Sequence, residues 1–284
     1  MRQTIILLAL ASLAACGSSQ DGNDANATLA ATPAALSFDG AGDPDRTAML
    51  AHGKRLTHIL GCRGCHTETL EGQWFNDDTP QNGKLYASNL TRVIPTMSDA
   101  QLETLLRDGI HPTRKDLWIM PSEVFQRLSD ADMAALIAHL RTVRPSGKPT
   151  PPPVLSAKFK AAVAKGDEKP TSAWVADYRT HQPPDLGPKL ALGHYIAGAT
   201  CSECHGGDLT GIEGFTPDLD VAGAYSEAEL TTLLTTGKGK TPRDLGLMTL
   251  VGKGHFSHLT ANERAAVIAY VKARAERTPD ARPK

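Results

Sequence analysis

The sequence is short of aromatic residues, of net charge and of long apolar runs, and each shortage excludes something. Phe, Trp and Tyr make up only 5% of the 284 residues. A chain of this length holds two small domains or one large one, and so few rings are thin filling for two cores. A large buried cofactor would make up the deficit. Thirty basic residues stand against 31 acidic ones, so no basic footprint marks a nucleic-acid surface. No apolar run is long enough to cross a membrane, and no run of alternating residues reads as a β-strand.

The N-terminus carries a targeting signal. Arg2 is followed by the apolar run from Thr4 to Ala11, which ends in Leu13-Ala14-Ala15-Cys16. Residues 1–15 read as a signal peptide. The end of the run resembles the lipobox of bacterial lipoproteins. That resemblance implies cleavage before Cys16, a lipid on Cys16 and an exported chain held on the periplasmic side of a membrane. Gly17, in place of Asp, favours the outer membrane. Residues 16–44 are rich in Ala, Asn, Asp, Ser, Thr and Gly and read as a lipidated flexible tether.

With Cys16 set aside, four cysteines remain, in Cys62-Arg63-Gly64-Cys65-His66 and Cys201-Ser202-Glu203-Cys204-His205. Each is C-x-x-C-H, the pattern of covalent haem attachment. Two thiols three positions apart near a helix end reach the two vinyl groups on one porphyrin edge. The next residue then sets an imidazole under the iron. Zinc is the weaker reading, because the two pairs lie far apart in sequence. A redox disulfide lacks surrounding thioredoxin-like strands, and structural disulfides would not need a histidine after each pair.

The chain is internally duplicated. Ser98 to Gly109 aligns with Ser226 to Gly237, and the match continues from Thr113, Asp116, Leu117 and Met120 onto Thr241, Asp244, Leu245 and Met248, always at an offset of 128 residues. The period is a whole domain, not a solenoid repeat. Ser98 with Gln101 and Ser226 with Glu229 read as capping boxes, and Gly109 and Gly237 stand as C-terminal helix glycines. The final helices repeat the device with Ser129 and Asp132, then Thr260 and Glu263. Leading helices precede the motifs near residues 46–60 and 189–199. The fold is expected to be all-α.

Each half resembles a class I cytochrome c domain. The resemblance rests on C-x-x-C-H after a first helix and a loop methionine before a last one, as in Met120-Pro121, Phe125 and Leu128-Ser129-Asp130. It implies two tandem domains over residues 45–145 and 185–277, joined by a Pro-rich linker and connecting segment over 146–184, with a tail over 278–284. It also implies two haems c, on Cys62 and Cys65 and on Cys201 and Cys204. The axial ligands would be His66 with Met120 and His205 with Met248. Each proximal imidazole would donate to a loop carbonyl, from Pro217 in the second domain and Ser88 in the first. Met248 is followed by Thr249, departing from the Met-Pro pattern. The other histidines (His52, His58, His139, His194, His255 and His258) read as surface or helix residues. Arg114, Lys115 and Arg243 read as solvated loop charges.

Tandem domains of this kind resemble the dihaem electron-accepting subunits of bacterial dehydrogenases. The expected function is electron transfer at the periplasmic membrane surface, from an exported dehydrogenase or a donor cytochrome to a later acceptor. The partners would be redox proteins and, through the lipid, the membrane. The rival classes are a dihaem enzyme, such as a peroxidase or sulfur-compound oxidoreductase, and a haem-based sensor or assembly protein. An enzyme needs an openable iron position, whereas two closed irons suit a carrier.

Overall fold

A computed structural model describes residues 36–74 and 82–277. The signal peptide, Cys16, most of the expected tether and the tail over 278–284 lie outside the described residues. The described residues belong to one compact unit. The first half supplies α1 (Arg46–Ile59), α2 (Cys62–His66), α3 (Leu90–Val93), α4 (Asp99–Asp108), α5 (Ser122–Phe125) and α6 (Asp130–Leu140). A connecting segment supplies α7 (Ala157–Lys165) and α8 (Thr171–Thr180). The second half supplies α9 (Ala191–Thr200), α10 (Ser202–His205), α11 (Glu227–Thr236), α12 (Leu247–Gly254) and α13 (Ala261–Ala275). The fold is all-α. Its described strands are two-residue pieces: β1 (Gln73–Trp74) pairs antiparallel with β3 (Tyr86–Ala87), and β2 (Gly83–Lys84) with β4 (Val154–Leu155).

Local chemistry sets the helix ends. Ser98 and Gln101 form a full capping box on α4, Ser226 and Glu229 one on α11, and Thr260 and Glu263 one on α13. Gly109 and Gly237 end α4 and α11 at φ 66° and 73°, a left-handed conformation that glycine adopts at little cost. The box expected on α6 is only half made. Ser129 accepts from the Asp132 N–H, but the Ser129 N–H donates to the Tyr195 hydroxyl at 3.0 Å. Asp is a methylene shorter than Glu, and the Asp132 carboxylate is taken by the Phe38 N–H, His52 and the Tyr195 hydroxyl.

In each half the first helix packs on the last through a glycine. A Cβ on Gly53 of α1 would lie 2.0 Å from the Ala135 carbonyl oxygen of α6, and one on Gly193 of α9 would lie 2.1 Å from that of Ala266 in α13. The backbones therefore touch where any side chain would hold them apart. Leu56, Met133 and Leu136 fill the space beside the first crossing, and Ile196, Val267 and Tyr270 that beside the second.

The halves are locked together by buried polar pairs. Arg55 of α1 donates to Glu263 at 2.7 Å, and Glu263 also accepts the Asp39 N–H at 2.8 Å. Both helix-start acids, Asp132 and Glu263, are fully buried. They are satisfied from several sides, as buried charge requires. Phe38 is 1% exposed, so the end of the expected tether is part of the core. The Pro-rich stretch also departs from expectation, because the first half holds it in place. The Asn89 amide donates to the carbonyls of Ser146 and Lys148, and the Asn89 N–H to Thr150 Oγ1 at 2.6 Å. Neither arrangement is written in local composition.

Candidate functional site

Both Cys-x-x-Cys-His motifs fold as a short helical turn directly after a longer helix. α2 follows α1 across Gly61, and α10 follows α9 through Cys201. The chain then turns alike in both halves. Thr67 and Gly206 take φ of 68° and 80°, Leu70 and Leu209 62° and 68°, and Gly72 and Gly211 79° and 90°. A leucine in the left-handed region is strained. Both leucines are buried to 1% exposure or less, and that burial offsets the strain. The Gly72 N–H donates to the His66 carbonyl at 2.8 Å and the Gly211 N–H to the His205 carbonyl at 2.8 Å. The Leu90 N–H donates to the Leu70 carbonyl at 2.9 Å and the Leu219 N–H to the Leu209 carbonyl at 3.1 Å.

These turns bring a carbonyl to each histidine. His66 Nδ1 lies 2.7 Å from the Ser88 carbonyl oxygen and His205 Nδ1 2.8 Å from that of Pro217, the partners the resemblance implied. A carbonyl can only accept, so each ring carries its proton on Nδ1. Nε2 keeps its lone pair as the coordinating atom. Burial holds both imidazoles below their ordinary value, with the carbonyl bonds pulling the other way. Both rings are therefore neutral at neutral pH.

Different partners fix the two carbonyl loops. In the first half, Asn89 is held by the Pro-rich stretch. In the second, Asp218 takes that position, and the buried Arg274 of α13 bonds Asp218 at 2.6 Å and Asp220 at 2.5 Å. Sequence reasoning missed Arg274, although its recurrence on the apolar side of α13 is a readable signal.

The methionines are placed differently. Met120 lines one largely apolar cleft, open to solvent, with Cys62, Cys65 and His66. It sits in a loop after Ile119, at φ 70°. The connecting segment closes over this loop. The Thr171 N–H donates to the Leu117 carbonyl at 2.9 Å, and Trp118 meets Phe159 of α7 edge-on at 5.1 Å. Met248 is instead the second residue of α12, whose N-cap is Gly246. That helix lies close on α11: a Cβ on Gly252 would come within 2.3 Å of the Leu233 carbonyl. Met248 is partly buried against the core, while Leu247 and Leu250 beside it are 55% and 66% exposed.

The four motif cysteines are free thiols. Burial pushes Cys62 and Cys204 up to about 12, and Cys65 and Cys201 up to about 11. Two acids near the first motif went unread in the sequence. Burial raises Glu123 of α5 to about 8 and Glu203 of α10 to about 7. Of the other histidines, His52 bonds Asp132 at 2.7 Å, His194 bonds the Pro183 carbonyl at 2.9 Å, and His58 stacks on His258 at 4.1 Å.

The donors fit haem c. Each motif offers two unpaired thiols at the required spacing and an imidazole with Nε2 free. In the first half a thioether faces the same apolar cleft.

Comparison with known proteins agrees. Residues 188–271 match the family model described as cytochrome c oxidase, cbb3-type, subunit III. The chain is 25% identical over 261 residues to the fructose dehydrogenase cytochrome subunit of Gluconobacter japonicus, covering 78% of this chain and 52% of that protein. It is 29% identical over 213 residues to one of the nicotinate dehydrogenase subunits of Pseudomonas putida, covering 69% of this chain and 17% of that protein. The chain thus spans about half the length of the first relative and less of the second. These likenesses support a c-type cytochrome with haem c as cofactor, serving electron transfer.

Proposed function

We propose that the protein is a dihaem electron carrier that accepts electrons from an exported dehydrogenase and passes them to a later redox partner. The haems c would be bound at Cys62 and Cys65 and at Cys201 and Cys204, one in each of two tandem cytochrome c-like domains. The axial ligands would be His66 with Met120, and His205 with Met248. A lipid on Cys16 would hold the chain to a membrane, the outer one by the residue that follows it. The observation that carries the reading is the duplicated site skeleton. Both histidines make the same Nδ1 bond to a loop carbonyl, inside turns that repeat residue for residue. A structural duplication alone would not need an imidazole oriented twice.

Each residue of the site has its own task. The thiols anchor, the imidazole supplies Nε2, and the carbonyl of Ser88 or Pro217 fixes the ring and strengthens it as a donor. The thioether of methionine is a soft ligand that favours ferrous iron and raises the potential. When bound, haem supplies the one-electron couple, and the protein supplies burial and orientation. The dehydrogenase partner is supported by the two relatives, each named for a dehydrogenase.

Carbon monoxide added to the reduced protein tests the carrier reading, because it binds only an iron with an open or easily opened position. The expected result is two six-coordinate spectra with little change, and fast electron exchange with a soluble cytochrome in stopped flow. Ready binding to one haem, with sustained turnover of peroxide or thiosulfate, would transfer the reading to a dihaem enzyme.

A further inference from the structure

The first cleft is not built by the first half alone. Among its lining residues, beside Cys62, Cys65, His66 and Met120, is Glu203. Glu203 is the third residue of the second attachment motif. Its charge acts on the thiols of both Cys62 and Cys65, and it also acts on Cys204. The Cys204 thiol in turn feels Cys65. At this junction of the halves the second motif therefore reaches the first cleft through Glu203, the residue before Cys204.

The corresponding residue of the first motif is Gly64, and it too meets the other half. A Cβ there would lie 2.8 Å from His255 Nε2. The third motif position thus faces across the molecule in both halves, bare in one and carboxylate-bearing in the other. Glu123 of α5 also faces this junction and feels the Glu203 charge. One of its carboxylate oxygens, Oε2, is buried without a hydrogen-bond partner. The junction therefore carries two buried carboxyl groups.

We infer that Glu203, although part of the second attachment motif, is a positioning residue for the first haem: it completes the wall of that cleft and holds the first haem's potential down. This inference rests on the two-haem reading. The physical reason is elementary. A carboxylate in a poorly hydrated site favours the more positive, ferric state of a nearby iron. Its reach extends to the second haem as well, because Glu203 stands between the second motif's two cysteines in sequence.

The test is a potentiometric titration of the full holoprotein at alkaline pH, in wild type, Glu203→Gln and Glu203→Asp. Met120→Ala serves to assign the first haem. Glu203→Gln is expected to raise the first haem's midpoint at least as much as the second's, and Glu203→Asp, which keeps the charge, to stay near wild type. Covalent haem content and far-UV circular dichroism check that each variant is loaded and folded. Two haems with an unmoved first midpoint, or a shift confined to the second haem, would overturn the inference alone. A single haem in the wild type would overturn the two-haem reading and the inference with it.

Discussion

Met120 and Met248 occupy the same place in the duplication and opposite local structures. Met120 stands in a loop, behind a strained Ile119 and ahead of Pro121, and α7 and α8 close over it. Met248 stands in the first turn of a helix that packs by glycine onto α11 and leaves Leu247 and Leu250 in solvent. The attachment turns, in contrast, are superposable in their hydrogen bonds. A duplicated site therefore keeps the side that binds and orients fixed, and varies the side that covers. The connecting segment packs on the first methionine's loop at Leu117 and Trp118, and the second methionine sits beside an exposed apolar helix face.

The largest effect is expected where the halves are most alike. Gly53→Ala and Gly193→Ala each force a Cβ into a backbone carbonyl, at 2.0 and 2.1 Å. Each should cost about 3 kcal/mol, the upper end for overpacking, measured by denaturant unfolding of the holoprotein. Near-normal stability in one variant alone would break the equivalence of the two helix crossings.

The carbonyl loops sharpen the comparison, because the second is held by an ion pair to its own loop acid, whereas the first is held through the Asn89 amide. Arg274→Met removes the buried guanidinium from Asp218 and Asp220. A cost of about 2 kcal/mol is expected, below the range for fully buried pairs because both carboxylates are partly exposed. Burial opposes ionisation of Asp218, but bonds from Arg274 and the Asp220 N–H hold its carboxyl below the ordinary value. This stabilisation is present above the ordinary carboxylate value and is lost as pH falls through the lowered one. Arg274→Met should thus remove part of the acid sensitivity, with the spectral change confined to the second haem. An equal disturbance of the first haem would contradict the assignment of Arg274 to one loop.

A smaller effect is expected at Glu123. Burial raises it from 4.5 to about 8. The folded state then binds the proton more tightly, so its contribution is full below pH 4.5 and is lost as pH rises through about 8. Glu123→Gln should remove this pH dependence over that window and gain on the wild type toward its alkaline end. Parallel pH profiles for variant and wild type would show that Glu123 stays hydrated.

What the sequence revealed was local. The capping pairs at Ser98, Ser226 and Thr260 and the glycines that end α4 and α11 depend on residues a few places apart. They were legible because short-range hydrogen bonding decides them. The carbonyls for His66 and His205 lie 22 and 12 residues further on and were implied by the family resemblance. Phe38 in the core, the Pro-rich stretch bound by Asn89, and Glu203 in the other half's cleft depend on packing between distant segments. Composition alone assigned Phe38 to a tether and the prolines to a spacer. The failed box at Ser129 is instructive, since tertiary partners claimed Asp132 first.

The most direct test of the account is the count of covalent haem in the denatured mature protein, by mass and by pyridine haemochrome, for wild type and for each double cysteine variant. Two haems per chain are expected, with one retained when Cys62 and Cys65 are both replaced by alanine and one when Cys201 and Cys204 are. A single haem in the wild type, or haem lost to acid–acetone extraction, would contradict it.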